Sequence, residues 1–254
     1  MTNRRIVHAL GAFVIWTAIT VIGGRLRAGG ETELVEAVTQ GVNWVYPLAA
    51  ALLLAVVAWQ RWDDVGLKTA PTAGSLRLLW LPALYIAVFL VLGVLLGLPP
   101  IAVIFFVLVN TFFVGLSEEL MFRGILLQAF RHRMAIWPAI LVTSLLFGGI
   151  HSLNVFTTGH LLTSVIQSGA ALLSGLLFIA IRLRTGSLWP AIVVHGLWDF
   201  GVFTMGAAGG TPAGPATAPT SFQTFAPLLL VLPTALYALW LLRHVSRTHG
   251  RPGD

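Results

Sequence analysis

The chain of 254 residues has no cysteine. Disulfides, thiolate metal sites, a cysteine nucleophile and S-acylation are thereby excluded. Charge is scarce as well: Asp, Glu, Lys and Arg make up 9% of the residues, against about 25% in an average soluble domain. So few charges cannot cover a soluble globule of this size. A disordered chain would be rich in charge and poor in apolar residues, the reverse of this one. Lysine is nearly missing too, because Lys68 stands alone among fifteen basic residues. What is abundant is apolar, 57% of the residues, and the mean hydropathy is +0.89. The apolar residues form continuous blocks, not the short alternating segments of a membrane β-barrel. The composition therefore predicts an all-α polytopic membrane helix bundle, since a helix satisfies its own backbone hydrogen bonds in lipid. The net charge of +6 is read as basic loops on one membrane face, and no nucleic-acid partner is expected.

Eight stretches approach the roughly 20 apolar residues that a spanning helix needs: 8–23, 41–59, 76–98, 101–130, 136–153, 161–181, 187–205 and 225–242. The first follows Arg4 and Arg5. No small-residue cleavage site follows it cleanly, so it is read as a retained helix and not a secretory signal. Pro99-Pro100 separates the third and fourth stretches. Residues 206–221, rich in Gly, Pro, Ala and Thr and without charge, read as a flexible outer loop. The whole chain, 1–254, is expected to form a single membrane domain.

Basic residues orient the bundle. With eight spans and both termini in the cytoplasm, one face holds Arg4, Arg5, Arg61, Lys68, Arg77, Arg131, Arg133, Arg182, Arg184, Arg243, Arg247 and Arg251. The other holds Arg25 and Arg27, and Arg123 falls inside a helix. Cytoplasmic loops are the ones enriched in Arg and Lys.

Ionisable residues inside the apolar stretches are the functional signal, because each costs about 2.5–3.5 kcal/mol at the bilayer centre on insertion scales. They are Glu118, Glu119, Arg123, His195 and Asp199, with His151 nearer one helix end. At about 1.5 Å per residue, Glu118, His151 and Asp199 lie roughly 18, 21 and 15 Å from the basic end of their helices. Three helices thus bring polar groups to similar depth, and one shared cavity is expected, opening to the cytoplasm. Glu119 and Arg123 are spaced i, i+4 and are expected to pair, which consumes Glu119. Glu118 points about 100° away and has no local partner. His195 and Asp199 are also i, i+4, so the carboxylate is expected to orient the imidazole. His8, His132, His160, His244 and His249 lie at helix ends or tails and read as solvent or headgroup groups. Ser144, Ser164 and Ser168 have no histidine at helical spacing and read as packing residues. Gly115, Gly124, Gly148 and Gly149 are expected to permit close helix contact.

These residues resemble a known family. Glu118-Glu119-Leu120-Met121-Phe122-Arg123-Gly124 is similar to the E-E-x-x-x-R motif of the CPBP intramembrane proteases, the type II CAAX prenyl endopeptidases and their bacterial relatives, also called the Abi family. Phe147-Gly148-Gly149-Ile150-His151 resembles the second motif, F-x-x-x-H, with Asn154 where many members carry a polar residue. His195-Gly196-Leu197-Trp198-Asp199 resembles the third, H-x-x-x-N or D. The three occur in family order within residues 115–200. The resemblance implies a metal-independent glutamate endopeptidase in a prokaryotic cell membrane, with no cofactor. Glu118 would be the base that activates water and His151 its partner. His195 with Asp199 would lie at the oxyanion site, and Glu119, Arg123 and Asn154 would be supporting residues. The prenyl endopeptidases typically have Asn at the Asp199 position; an ionised Asp can only accept hydrogen bonds. The implied partner is a peptide or protein substrate, with or without a lipid modification, among membrane lipids. Two other readings fit the same residues. One is a zinc protease using Glu118, His151 and His195 as ligands, although no H-E-x-x-H is present. The other is a non-catalytic scaffold, immunity factor or transporter.

Overall fold

Two consecutive prolines cannot continue a helix, and the chain breaks there. The helix Trp80–Leu96 (α4) ends before Pro99-Pro100, and the next begins at Ile101. Similar punctuation elsewhere divides the chain into helices, and the computed structural model describes residues 2–208 and 221–249. Before α4 come α1 (Thr2–Ala28), the short α2 (Leu34–Thr39) and α3 (Val45–Gln60). After it come α5 (Ile101–Glu119), a π-helical segment Leu120–Leu126 and α6 (Leu127–Arg131), which together make one unbroken rod. Then follow α7 (Ile136–Ser152), α8 (Val155–Thr158), α9 (Leu161–Thr185), α10 (Trp189–Ala207), α11 (Ser221–Leu242) and α12 (Val245–His249). Most of the expected outer loop, 209–220, lies outside the described residues.

The all-helical class is as expected, and the described residues contain no strand. The expected count of eight spans is not reproduced. Each of the eight stretches is helical, but six helices are long and apolar enough to cross a membrane: Arg4–Ala28, Ser75–Leu96, Ile101–Arg131, Ile136–Thr158, Leu161–Thr185 and Thr224–Arg247. Of the other two, α3 has only 16 residues, and α10 dilutes its apolar content with His195, Asp199 and three glycines. The outer surface of the bundle is apolar. Val14, Leu95, Ile101, Leu145 and Leu229 are all more than half exposed, which suits lipid and not water. The protein is an integral membrane protein.

Two polar seams fix the ends of the bundle. At one end Arg5 reaches Asp64 at 2.7 Å and His132 at 3.0 Å, and Arg182 donates to the Asp64 carbonyl at 2.8 Å. His132, read from sequence as a solvent group, is therefore part of an interhelical clamp. At the other end Thr32 N–H donates to the Thr157 carbonyl at 3.0 Å, and Asn110 donates to the carbonyls of Val38 and Gly41.

Helices pack where side chains permit. α10 lies against α5 and α4, α7 against α9, α9 against α11, and α3 against α1 and α5. At the α5–α10 crossing a Cβ on Gly115 would stand 2.9 Å from the Gly196 nitrogen and 3.0 Å from the Ile192 carbonyl oxygen. At the α7–α9 crossing a Cβ on Gly148 would stand 2.8 Å from the Ser168 carbonyl oxygen. Both glycines are where backbones touch. Gly124 is also tightly enclosed, but Gly149, expected to be a contact glycine, faces open space.

Gly115→Ala should push α10 off α5, because backbone atoms cannot step aside. A loss of about 1–3 kcal/mol is expected from such overpacking, read as a lower unfolding midpoint in detergent, with Gly149→Ala as the unaffected control. The Asp64 clamp predicts a pH dependence. Burial raises the Asp64 pKa, but the hydrogen bonds and charges of Arg5 and His132 outweigh it and hold the carboxyl below its ordinary value. A depressed folded pKa stabilises the fold above the unfolded value of about 3.9 and ceases to do so as pH falls through the folded value. Asp64→Asn should therefore lower stability at neutral pH by no more than about 1 kcal/mol, since the site is partly exposed. That difference should vanish in acid, as measured by unfolding across pH.

Candidate active site

Adjacent glutamates on a helix point about 100° apart, and here the difference sorts them into separate surroundings. Glu119, at the last turn of α5, is fully buried. Its Oε1 accepts from Arg123 Nη1 at 2.9 Å and from His195 Nδ1 at 2.8 Å. The expectation that Arg123 consumes Glu119 is thus incomplete. A carboxylate oxygen has two lone pairs, and the Gly115–Gly196 approach delivers His195 from α10 to the second one.

Arg123 is fully buried, with both Nη groups bonded and its Nε without a partner among the described residues. It lies in the π-helical segment, a wider turn that recurs at functional sites. Its Nη2 donates to the Gly175 carbonyl at 3.2 Å, and its guanidinium sits 4.1 Å from the Phe147 ring centroid and 5.1 Å from that of Phe178. Phe178 also stacks on His195, with centroids 4.6 Å apart and planes at 13°. Arg123, Glu119 and His195 therefore form one buried chain.

Glu118 turns the other way, into a cavity of ≈ 1050 Å³. His151, Asn154, His195 and Asp199 line the same cavity, so the polar groups of three helices converge as the depth count expected. Glu118 Oε2 is buried and has no hydrogen-bond partner within the described residues. It stands 4.0 Å from His151 Nε2 and 3.8 Å from His195 Nε2. Those separations exceed a hydrogen bond and suit a shared water. His151 Nδ1 lies 2.7 Å from the Phe147 carbonyl. That carbonyl can only accept, so Nδ1 carries a hydrogen, and Nε2 is the nitrogen turned toward Glu118.

Asp199 Oδ2 is 3.5 Å from His195 Nε2. The imidazole is therefore oriented chiefly by Glu119, not by Asp199 as the i, i+4 spacing suggested. Asn154 donates to Gln167 at 2.8 Å, bracing the α7 end against α9. Among the described residues no three His, Asp or Glu form a group able to hold a metal ion. Ser168 donates to the Gly148 carbonyl at 2.7 Å, a packing role.

The cavity does not open toward the basic end, as the sequence suggested. Its wall is built from the far end of α1, from α2, and from the neighbouring ends of α7, α9, α10 and α11. Phe147 was present in the quoted motif as a pattern residue only. Gln167, a polar residue in an apolar helix, is a signal visible in the sequence itself. Phe178 and Gly175 carry no sequence signal, since an aromatic ring or a glycine in an apolar helix is ordinary.

Residues 100–201 match the profile of the Rce1-like family, type II CAAX prenyl endopeptidase. An Escherichia coli protein described as an uncharacterized 24.3 kDa protein is 32% identical over 168 residues, covering 57% of this chain and 70% of that relative. The chain belongs to the Rce1-like family. No solved structure matches it. The family is one of proteases, which places peptidase activity on this chain at the family level, and the matched segment runs from the start of α5 into α10, through every residue of the converged cluster.

Arg123→Ala should unfold the site from within. Removing one partner of a buried ion pair costs about 3–5 kcal/mol, and here it also releases the group that fixes His195. A marked fall in the detergent unfolding midpoint is expected. A variant as stable as the parent would mean that Glu119 does not depend on Arg123.

Proposed function

We propose that the protein is an intramembrane endopeptidase of the glutamate type, in which Glu118 and His151 activate water. The observation that carries this is the unpartnered Glu118 Oε2, facing two imidazole Nε2 atoms across one cavity. A water between Glu118 and His151 donates one hydrogen to each acceptor, and its lone pair is left toward the cavity. As the water oxygen attacks the scissile carbonyl, Glu118 takes a proton, and it passes that proton to the leaving amine as the C–N bond breaks. General-base help of this kind contributes about 10²–10⁴-fold.

His195 is the reading's oxyanion donor. Carboxylates face both of its nitrogens, Glu119 at Nδ1 and Asp199 at Nε2, so the ring is best satisfied when it donates from both. The Nε2–H, loosely held with Asp199 3.5 Å away, is the one able to turn to the developing oxyanion, and such a donor is worth about 10²–10³ in rate. Asp199, standing where the family typically has Asn, supports His195 by accepting and does not itself donate. Glu119 and Arg123 position the ring, and Asn154 fixes the helix end that carries His151. No cofactor takes part, and the substrate is a peptide or protein segment presented among membrane lipids. In the finer reading of topology α3 and α10 complete eight membrane-embedded helices, and both termini lie in the cytoplasm.

The test is hydrolysis of defined peptides by the purified protein in detergent. Glu118→Gln should reduce turnover at least about 10²-fold while the unfolding midpoint is retained, and EDTA and 1,10-phenanthroline should leave the parent activity intact. Turnover within a few-fold of the parent would remove Glu118 as the base. Loss with chelator and recovery with zinc would replace this mechanism by the zinc one. A parent protein that cleaves nothing would support the non-catalytic scaffold.

A further inference from the structure

The cavity has a direction, and the charges have a direction, and the two are opposed. From Glu118 the wall runs past Asn43 to Arg27, Gln40, Thr157 and Thr163, all at the α2 end of the bundle. The helix ends of the basic face contribute nothing to that wall. That face is closed instead by the Arg5–Asp64–Arg182 clamp and, beneath it, by Phe122, Ile125 and Leu126, which have no exposure at all.

Among the described residues the clamp end carries eleven basic side chains against Asp63 and Asp64. The α2 end carries Arg25 and Arg27 against Glu31, Glu33 and Glu36. The Arg and Lys excess of short loops marks the cytoplasmic side. The clamp end is therefore cytoplasmic, and the cavity faces away from it.

We infer that the site is loaded from the extracytoplasmic side, so that its substrates are exported peptides or the extracytoplasmic segments of membrane proteins. This rests on the peptidase reading for what enters, and on cavity and charge alone for where it enters. A lipid-modified C-terminus displayed in the cytoplasm would meet the closed end of the bundle.

Because the chain has no cysteine, each variant carries one labelable thiol and the parent, purified after labelling, is the blank. Gln40, exposed at the cavity mouth, and Thr69, exposed near the clamp, each serve as a single-cysteine site, Gln40→Cys and Thr69→Cys. Cells expressing either variant are treated with a membrane-impermeant maleimide before and after permeabilisation. Gln40→Cys should label fully in intact cells, and Thr69→Cys only after permeabilisation. Any other pattern overturns the inference. Should either variant fail to accumulate, Glu33→Cys and Lys68→Cys, also exposed at the two ends, report the same faces. The readout is independent of hydrolysis, so failure of the peptidase reading and failure of this topology are separately visible.

Discussion

A guanidinium and a carboxylate are both removed from solvent at the centre of the bundle, Arg123 against Glu119 at 2.9 Å. In a low-dielectric interior neither charge is tolerable without the other, and each needs its remaining hydrogen-bonding capacity met. The surrounding structure answers most of this need and leaves Arg123 Nε and Glu119 Oε2 without a hydrogen-bond partner among the described residues. Gly175 supplies a carbonyl and Phe147 and Phe178 supply ring faces to the guanidinium, while His195 supplies a second donor to the carboxylate. Because these partners come from α7, α9 and α10, one ion pair ties four helical segments to a common point. The position of His195, and with it the geometry of the cavity wall, follows from satisfying that pair.

The same constraint divides the labour between two neighbouring glutamates. Glu119 faces inward, where its charge is locked by two donors. Glu118 faces the cavity, where one carboxylate oxygen meets no partner of its own chain. A buried, unsatisfied acceptor is expensive in a helix that could have carried an apolar residue. Its presence opposite two imidazoles is best understood as capacity kept for a water and a substrate. The widened π turn directly after Glu119 belongs to this arrangement, as it lets the chain carry Arg123 back toward α9 without ending the rod.

The two ends of the bundle are built for different purposes. One is a charged seam in which Arg5 and Arg182 converge on Asp64 and which closes the structure. The other is an assembly of short α2 and α8 joined by backbone and amide hydrogen bonds, and the cavity emerges there. Access to a buried site requires an end that is not sealed, and the basic seam takes the opposite one.

Sequence alone settled the class of the protein, because hydropathy and charge scarcity permit few solutions: membrane, helical, with motif residues on three helices at similar depth. It also gave the Glu119–Arg123 pair, since i, i+4 contact is a property of a single helix, and it separated Glu118 from Glu119 by helical periodicity. Its count of eight spans is not confirmed by helix length and composition, since α3 is short and α10 carries His195 and Asp199 among its apolar residues. What lay beyond it was everything that passes between helices. The hand-over of His195 from Asp199 to Glu119, the cage of Phe147 and Phe178 and the clamp around His132 depend on which faces meet. Those faces are fixed by backbone contacts such as Gly115 on Gly196, which no local pattern encodes. The direction in which the cavity opens was likewise decided only by the tertiary structure, because depth along a helix is the same arithmetic from either end, and only packing determines which end is closed.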